Sequence, residues 1–296
     1  MKLIWLTDIH LDFLSQSGVE AFLEKVARLQ AQSILISGDI GTARNIVSFL
    51  RLFEQTLQCP IYFVLGNHDY YQSSIKIVRE RVRKLVDESC FLRYLTLGGI
   101  VTLTPGTGLI GHDSWADGRF GNFMKSEVLM NDYILIDELA RRDPDERNLQ
   151  MEESEFLPFH PTIPPAWDNI QDIMKEHRIQ LLHQYGKEAA DFFKELLPQA
   201  LARFEHVLLL THVPPFQEAC WHEGNFSNDI FLPHFACKTV GDVLLEIMHD
   251  HPNRRLTVLC GHTHSRGEAH ILPNLCVKTG AGVYHDPQIE IPIFIR

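Results

Sequence analysis

The sequence has no apolar run as long as those of a membrane span or of the core of a signal peptide. It begins MKLIWLTDIH, with one lysine and an apolar run far shorter than the core of a signal peptide. No segment approaches the roughly 20 apolar residues that a membrane-spanning helix needs. We therefore expect a cytoplasmic protein with no membrane span.

The chain also has few cysteines, and none of them are spaced as a Cys-x-x-Cys pair. Several of them stand beside apolar residues, as in VLCGH and NLCVK, which is typical of buried, reduced thiols. A disulfide framework and a zinc ribbon are both disfavoured. The six positions are Cys59, Cys90, Cys220, Cys237, Cys260 and Cys276.

Positive charge is scarce as well. The 296 residues include 27 basic and 38 acidic side chains, which give a net charge of -11. This balance argues against a broad basic face for nucleic acid or anionic lipid. It leaves open a phosphate-binding site whose positive charge comes from metal ions. With 45% hydrophobic residues, the chain can bury a sizeable core.

The first third of the chain alternates apolar, β-rich runs with amphipathic helical patterns. LIWLT, SILIS and IYFVL are each followed by a stretch with helical periodicity. Strands that are apolar on both faces and joined by helices indicate βαβ units in a sheet covered on both sides. FLRYLTL, IVTLT and GLIGHDS follow with glycine and proline turn signals, which favour an antiparallel portion.

The middle of the chain departs from this rhythm. Residues 116–166 are charged and proline-bearing, and a helical pattern follows in which Gly186 and Pro198 are expected to cause breaks. Strand and helix patterns then resume at HVLLLTH. We predict an α/β fold with two sheets in a single domain, 1–296, with a helical and loop insertion at about 116–200.

Side chains able to bind metals follow the apolar runs where each predicted strand ends. Ligands gather at the carboxyl ends of strands in open α/β sheets. Each motif alone is compatible with an ordinary polar turn. Together they supply seven oxygen and nitrogen donors and no thiolate: Asp8, His10, Asp39, Asn67, His212, His262 and His264. So many donors suit two ions that share a carboxylate, a clamp used for displacement at phosphorus.

The motifs resemble the signature of one known family in order and in complete form. Asp8-x-His10, Gly38-Asp39, the run GNHD at 66–69, His212 and the run GHTH at 261–264 resemble those of calcineurin-like metallophosphoesterases. The resemblance spans nearly the whole chain. It implies a four-layer α/β/β/α sandwich of two mixed sheets flanked by helices. It also implies a binuclear centre of divalent or mixed-valence ions, with Mn, Fe and Zn as candidates.

The resemblance assigns a role to each motif residue. Asp8, His10 and His264 would bind one ion, Asn67, His212 and His262 the other, and Asp39 would bridge them. His68 matches the family's catalytic histidine, and Asp69 matches the acid that often supports it. The implied reaction is attack at phosphorus by a metal-bridging hydroxide.

The motifs do not identify one branch of the family. GDIGTAR lacks the Asp-Arg pair of protein phosphatases, and the third motif ends in Asp69 where those enzymes have glutamate. We expect a small phosphorylated substrate, cleaved at a phosphodiester, pyrophosphate or phosphomonoester bond. A nuclease acting on nucleic-acid ends or single strands is an alternative, although no basic stripe supports it. A non-catalytic scaffold of the same fold is another.

Candidate substrate-binding residues lie outside the motifs. Arg119 and Trp115, in residues 112–122, could contact a phosphate oxygen and a ring, and Arg44 and Arg266 lie close to the second and last motifs. The segment 216–234 is rich in aromatic and polar residues. Each of the three arginines could instead be an ordinary surface cation, and Trp115 could instead be a core aromatic.

Overall fold

Two mixed β-sheets lie at the centre of the fold in the computed structural model, which describes residues 1–141 and 168–296. In chain order the strands are β1 (Lys2–Leu6), β2 (Ser33–Ser37), β3 (Ile61–Val64), β4 (Leu92–Tyr94), β5 (Val101–Thr104), β6 (Thr107–His112), β7 (His206–Thr211), β8 (Trp221–His222), β9 (Asn225–Phe226), β10 (Arg255–Cys260), β11 (Gly267–Leu272), β12 (Leu275–Thr279) and β13 (Ile293–Phe294).

Helices cover the outer faces of the sheets. They are α1 (Gln16–Ala27), α2 (Ile46–Leu57), α3 (Ile75–Glu88), α4 (Asp132–Leu135), α5 (Asp137–Ala140), α6 (Asp168–Arg203), α7 (Leu232–Phe235) and α8 (Lys238–Asp250). The side chains of Ser15 and Ser74 cap α1 and α3 by accepting hydrogen bonds from Gly18 N and Ile77 N. The buried residues of α3 recur every three or four positions, which turns one face to the core.

The first sheet has the spatial order β13-β1-β2-β3-β4. Its central strands are parallel, as the predicted βαβ units require, and β13 joins the edge antiparallel to β1. All five residues of β2 are buried, because helices cover one face of this sheet and the second sheet covers the other. The loops that leave β1, β2 and β3 therefore emerge side by side.

The second sheet has the order β11-β12-β10-β7-β6-β5. The strands β6, β7, β10 and β12 are parallel, and the edge strands β5 and β11 are antiparallel. This mixture confirms the predicted α/β class. Of the three runs expected to form an antiparallel portion, IVTLT and GLIGHDS supply the antiparallel pair β5-β6, whereas FLRYLTL supplies β4, which is parallel to β3. A short hairpin, β8-β9, stands apart from both sheets.

Three apolar clusters separate the layers. One lies between the first sheet and α1 to α3, and another between the second sheet and the helices α6 and α8. The third includes Trp5, Leu35, Leu208 and Leu259, which come from both sheets, so the sheets pack face to face. The order helix, sheet, sheet, helix is the predicted four-layer sandwich.

The long helix α6 lies largely within the predicted insertion at 116–200. It runs unbroken through Gly186 and Pro198, so the expected breaks do not occur. A Cβ at Gly186 would meet the Cβ of Asp117 at 2.7 Å, so glycine here permits close packing between segments. Residues 142–167 of the predicted insertion lie outside the described residues. Among the described helices, none has the length and apolar character needed to cross a bilayer.

Candidate metal centre

The loops that leave β1, β2, β3, β7 and β10 meet at the carboxyl ends of the two sheets. Backbone hydrogen bonds join them: Asp8 N donates to Gly38 O at 3.1 Å, and Gly261 N donates to His212 O at 2.9 Å. These two bonds join loops within each sheet, and His262 N, which donates to Oδ1 of Asp8 at 2.9 Å, joins a loop of the second sheet to one of the first. The loops bring together all seven predicted ligands: Asp8, His10, Asp39, Asn67, His212, His262 and His264.

The first group of ligands consists of Asp8, His10, Asp39 and His264, whose donor atoms all lie within 4.8 Å of one another. Nε2 of His264 lies 3.2 Å from Nε2 of His10 and 3.5 Å from Oδ1 of Asp8. Donors about 2.0–2.2 Å from a shared ion lie roughly 3–3.6 Å from each other. These spacings fit coordination of one cation.

The second group centres on the side-chain oxygen of Asn67. Oδ1 of Asn67 lies 2.9 Å from Nε2 of His212 and 3.0 Å from Nδ1 of His262. The other ring nitrogens face backbone carbonyls, Nδ1 of His212 at 2.9 Å from Ser37 O and Nε2 of His262 at 2.9 Å from His234 O. A carbonyl only accepts hydrogen bonds, so each ring places its proton there.

With this assignment, the unprotonated nitrogens of His212 and His262 both point at the side-chain oxygen of Asn67, which is also a hydrogen-bond acceptor. The nitrogens of His212 and His262 and the oxygen of Asn67 then converge with no proton between them. Such an arrangement is repulsive unless a cation lies among the three atoms. The second group therefore fits an ion through one oxygen and two nitrogens, a donor set suited to Mn, Fe or Zn.

Asp39 lies between the two groups. Its Oδ2 is 3.8 Å from Nε2 of His10, and its Oδ1 is 3.4 Å from Nε2 of His212. Oδ1 also accepts a 2.9 Å hydrogen bond from His68 N, which fixes the orientation of the carboxylate. One oxygen is thus directed to each group, which suits a bridging ligand.

Burial shapes the protonation of the ligands. Burial, followed by the charge of Asp8, raises the pKa of Asp39 well above its usual value, and a nearby cation would oppose both effects. Burial also lowers the pKa of His262 to about 4 and that of His10 well below its usual value. Neutral imidazoles keep the lone pairs that metal binding needs.

The backbone is strained at five of the ligands. Asp8, His10, Asp39, His262 and His264 have φ angles of 47°, 39°, 53°, 70° and 60°. Such left-handed conformations disfavour side chains with a Cβ by about 1 kcal/mol or more each. Strain concentrated on these residues is typical of a functional site.

His68 and Asp69 occupy different environments. His68 is partly exposed as a residue, and its ring centroid lies 4.5 Å from that of His10. Burial, followed by the charges of neighbouring histidines, lowers the pKa of His68. Asp69 is fully buried, and its oxygens accept 2.9 Å hydrogen bonds from the backbone N–H groups of Ile40, Gly41 and Gly66. The expected contact between Asp69 and the ring of His68 is not among their hydrogen bonds. The role of Asp69 in supporting the catalytic histidine stays a prediction, and no hydrogen bond between the two described side chains supports it.

The motifs did not reveal Asp132, which positions the amide of Asn67. Nδ2 of Asn67 donates to Oδ1 of Asp132 at 2.8 Å, and the hydroxyl of Tyr71 donates to the same oxygen at 2.7 Å. Because the amide nitrogen is held by Asp132, the amide oxygen faces His212 and His262. Asp132 lies in the charged stretch after residue 116, where no periodicity or motif marks it.

The structure does not bring the three candidate arginines to the ligands. Arg119 pairs with Asp117 at 3.6 Å, and Arg266 pairs with Glu290 through bonds of 2.8 and 3.1 Å. Arg44 is exposed in the loop before α2. Within the described ranges, none of the three has a hydrogen bond or ion pair to a predicted ligand. Their role in substrate binding stays a prediction.

Trp115 lies behind the second group of ligands. Trp115 is 3% exposed, and with Asn67, His212 and His262 it lines a partly open cavity of about 10 Å³, enough for one water molecule. Its ring packs between those of Tyr70 and Tyr185, at 5.6 and 5.7 Å. This placement corresponds to the core-aromatic alternative considered for Trp115.

The comparisons with known proteins agree with this geometry. The sequence model of the family described as calcineurin-like phosphoesterase matches residues 1–266. No curated protein matches the chain. A dimetal phosphatase from Danio rerio is similar in structure, with a TM-score of 0.55 and 12% identity, over 97% of this chain and 89% of that one.

A second solved structure of similar fold is the phosphopantetheinyl hydrolase from Mycobacterium tuberculosis. Its TM-score is 0.51 and its identity 14%, over 95% of this chain and 89% of that one. At such identities the likeness concerns the fold. The family match over most of the chain shows that the chain belongs to the calcineurin-like phosphoesterase family, which implies metal-dependent phosphoester hydrolysis, and the Asp, Asn and His donors of the site agree with it.

Proposed function

We propose that the protein is a binuclear metal-dependent phosphohydrolase that acts on a small phosphodiester or pyrophosphate. The orientation of Asp39 carries the proposal, because its two oxygens face two separate groups of donors. A site for a single ion would not need a carboxylate placed in this way.

The bound ions would lower the pKa of a water molecule and neutralise oxygens of the phosphoryl group. Asp8, His10 and His264 would bind one ion, and Asn67, His212 and His262 would bind the other. Because the positive charge comes from the ions, a protein with a net charge of -11 can still bind an anionic substrate.

The side chain of His68 stands beside the first group without a role as a ligand. It is partly exposed, so its N–H can reach a leaving oxygen that enters from solvent. Its backbone N–H is bonded to Asp39 Oδ1, which ties the position of the ring to the bridging carboxylate. His68 is therefore proposed to donate a hydrogen bond or its proton to the leaving oxygen.

The preference for a small diester or pyrophosphate rests on the motifs. GDIGTAR has no Asp-Arg pair, and Asp69 stands where protein phosphatases have glutamate. The absence of a basic stripe in the sequence disfavours long nucleic acid.

The test is hydrolysis by protein stripped with a chelator and reloaded with Mn²⁺. Bis(p-nitrophenyl) phosphate should be cleaved with a higher kcat/KM than p-nitrophenyl phosphate, a phosphopeptide or a labelled oligonucleotide. Asp39→Asn should lower kcat/KM for the diester by about 100-fold or more, since several kcal/mol of charge stabilisation are lost.

The matched control is His270→Ala, which removes an imidazole that is exposed on β11, away from the ligands. This variant should keep the activity of the original chain. Preferred cleavage of the phosphopeptide or the oligonucleotide would overturn the substrate class. No turnover of any of the four substrates with Mn²⁺, Fe²⁺ or Zn²⁺ would overturn the proposed function.

A further inference from the structure

Two aromatic side chains from distant parts of the sequence meet at the rim of the metal centre. Phe13 lies in the loop after β1, Tyr284 lies in the loop after β12, and their ring centroids are 4.7 Å apart. Tyr284 is 41% exposed, and its neighbour Val283 is 45% exposed. An apolar surface of this kind beside a cluster of carboxylates and imidazoles needs an explanation.

The ring of Tyr284 packs at an angle against two ligands of the first group. Its centroid is 4.6 Å from that of His10 and 5.1 Å from that of His264. The ring of His68, the proposed donor to the leaving oxygen, is 6.2 Å away. A substrate group bound against Tyr284 would therefore lie next to the phosphorus held at the centre.

The two loops are anchored, so this rim is formed before a substrate binds. Gly282 N donates to His264 O at 3.2 Å, and His285 Nδ1 lies 3.0 Å from Phe13 O. A Cβ at Gly282 would meet the Cβ of Asp8 at 2.6 Å, so glycine allows this loop to approach the centre closely. A rigid aromatic surface loses little entropy on binding a ligand.

We propose that Phe13 and Tyr284 form a subsite for a planar aromatic ring attached to the phosphoryl group of the substrate, such as an aryl group or a nucleobase. The inference rests on the proposed function, because the phosphoryl group must lie at the metal centre. An aromatic face stacks on a planar ring and tolerates differences in its substituents. Tyr284 then determines specificity, and His68 acts in the chemistry.

The alternative is that Tyr284 only packs on His10 and keeps the first group of ligands in place. In that case its removal would weaken the binding of every phosphoryl ligand equally. Two phosphonates that differ only in the ring distinguish these roles. Phenylphosphonate and methylphosphonate carry the same anionic group and have no ester bond to hydrolyse.

The experiment measures the Kd of both phosphonates for the Mn²⁺-loaded protein by titration calorimetry. The original chain should bind phenylphosphonate about 5- to 100-fold more tightly than methylphosphonate, as expected for one stacked ring. Tyr284→Phe should keep this ratio, and Tyr284→Leu, which keeps apolar bulk without the ring, should bring it close to one. Phe13→Leu should lower it in part.

Two results would overturn the inference. One is a ratio near one in the original chain, and the other is an unchanged ratio in Tyr284→Leu. Neither result depends on turnover, so they are separate from a failure of the proposed hydrolysis. Metal content, measured by mass spectrometry, should stay the same in all variants, which shows that any change in the ratio does not come from loss of ions.

Discussion

The side-chain nitrogen of Asn67 donates a hydrogen bond to Oδ1 of Asp132 at 2.8 Å. Because an amide has one donor end and one acceptor end, this bond turns the oxygen of Asn67 toward His212 and His262. Asp132 belongs to a segment with no recognisable motif, yet it determines which atom Asn67 offers to the centre.

The first prediction concerns this orientation. Asp132→Ala should lower the affinity for one of two metal ions by about 10- to 100-fold, the usual effect of losing the partner of a ligand. The other ion should bind as before, because its ligands do not contact Asp132. Calorimetric titration of the metal-free protein with Mn²⁺ measures both affinities.

Tyr71→Phe is the matched control for this variant. It removes the hydroxyl that donates to Oδ1 of Asp132 and accepts a longer hydrogen bond of 3.3 Å from Nδ2 of Asn67, but it keeps the 2.8 Å bond between Asp132 and Asn67. Its metal affinities should stay close to those of the original chain. Equal losses in the two variants would show that the environment as a whole, and not the orientation of the amide, sets the affinity.

The second prediction separates the roles of Asn67 and His68. Asn67→Ala should weaken one ion, whereas His68→Ala should keep both ions and lower kcat by about 100- to 10,000-fold, the range for loss of a general acid. Metal analysis and kinetics with bis(p-nitrophenyl) phosphate measure the two effects. Equal loss of metal in both variants would contradict this division.

The predicted strands and ligands could be identified because their signals are local. Apolar runs such as SILIS read as buried strands, and residues such as Asp39 follow them directly along the chain. Parallel strands then place such residues at one edge, so their proximity follows from the fold class. The family match supports the same assignment.

The features that sequence reasoning missed depend on contacts between distant segments. Asp69 binds backbone N–H groups of a loop about 28 residues earlier, and no local pattern announces such a pairing. Gly186 packs closely on Asp117, and the helix continues through it although its residue type predicted a break. Tyr284 follows the end of β12. The rule that ligands gather at the carboxyl ends of strands, which located the metal ligands, could therefore have located Tyr284 too.

The third prediction concerns a buried polar network around Asp113. This carboxylate accepts hydrogen bonds of 2.7 Å from Leu65 N, Tyr70 Oη and Thr96 Oγ1, and it pairs with Nε of Arg79 at 3.2 Å. Asp113→Ala would leave these buried donors without their acceptor. It should lower the free energy of unfolding by about 3–5 kcal/mol, as measured by urea denaturation.

Asp242→Ala is the control, since Asp242 forms an exposed pair with Lys238 on α8. Exposed pairs contribute about 0–1 kcal/mol, so its unfolding midpoint should move little. Similar losses for the two variants would mean that the network around Asp113 adds no more than a surface pair.

The fourth prediction concerns pH and uses His206, which lies at the start of β7, away from the metal ligands. Its Nδ1 faces Nη2 of Arg255 at 3.1 Å and its Nε2 faces Oγ1 of Thr257 at 2.9 Å, an arrangement that suits a neutral ring. Burial, followed by the charge of Arg255, lowers its pKa from 6.5 to about 4. The unfolded chain therefore takes up a proton at this ring before the folded one.

His206 contributes to the free energy of unfolding above pH 6.5, and this contribution is lost as the pH falls toward 4. The loss should be about 1–2 kcal/mol, less than the full shift implies because the ring is partly exposed. The measurement is urea unfolding of the original chain and of His206→Asn at pH 7 and pH 4.5. The variant should lose less stability than the original chain, and parallel losses would contradict the assignment.

The most direct test of the binuclear centre is a crystal structure of the Mn²⁺-loaded protein with an anomalous difference map. We predict two peaks about 3.5–4 Å apart, one beside His10 and His264 and one beside His212 and His262, with the carboxylate of Asp39 between them. A single peak in that map, or two peaks that do not share Asp39, would contradict the account.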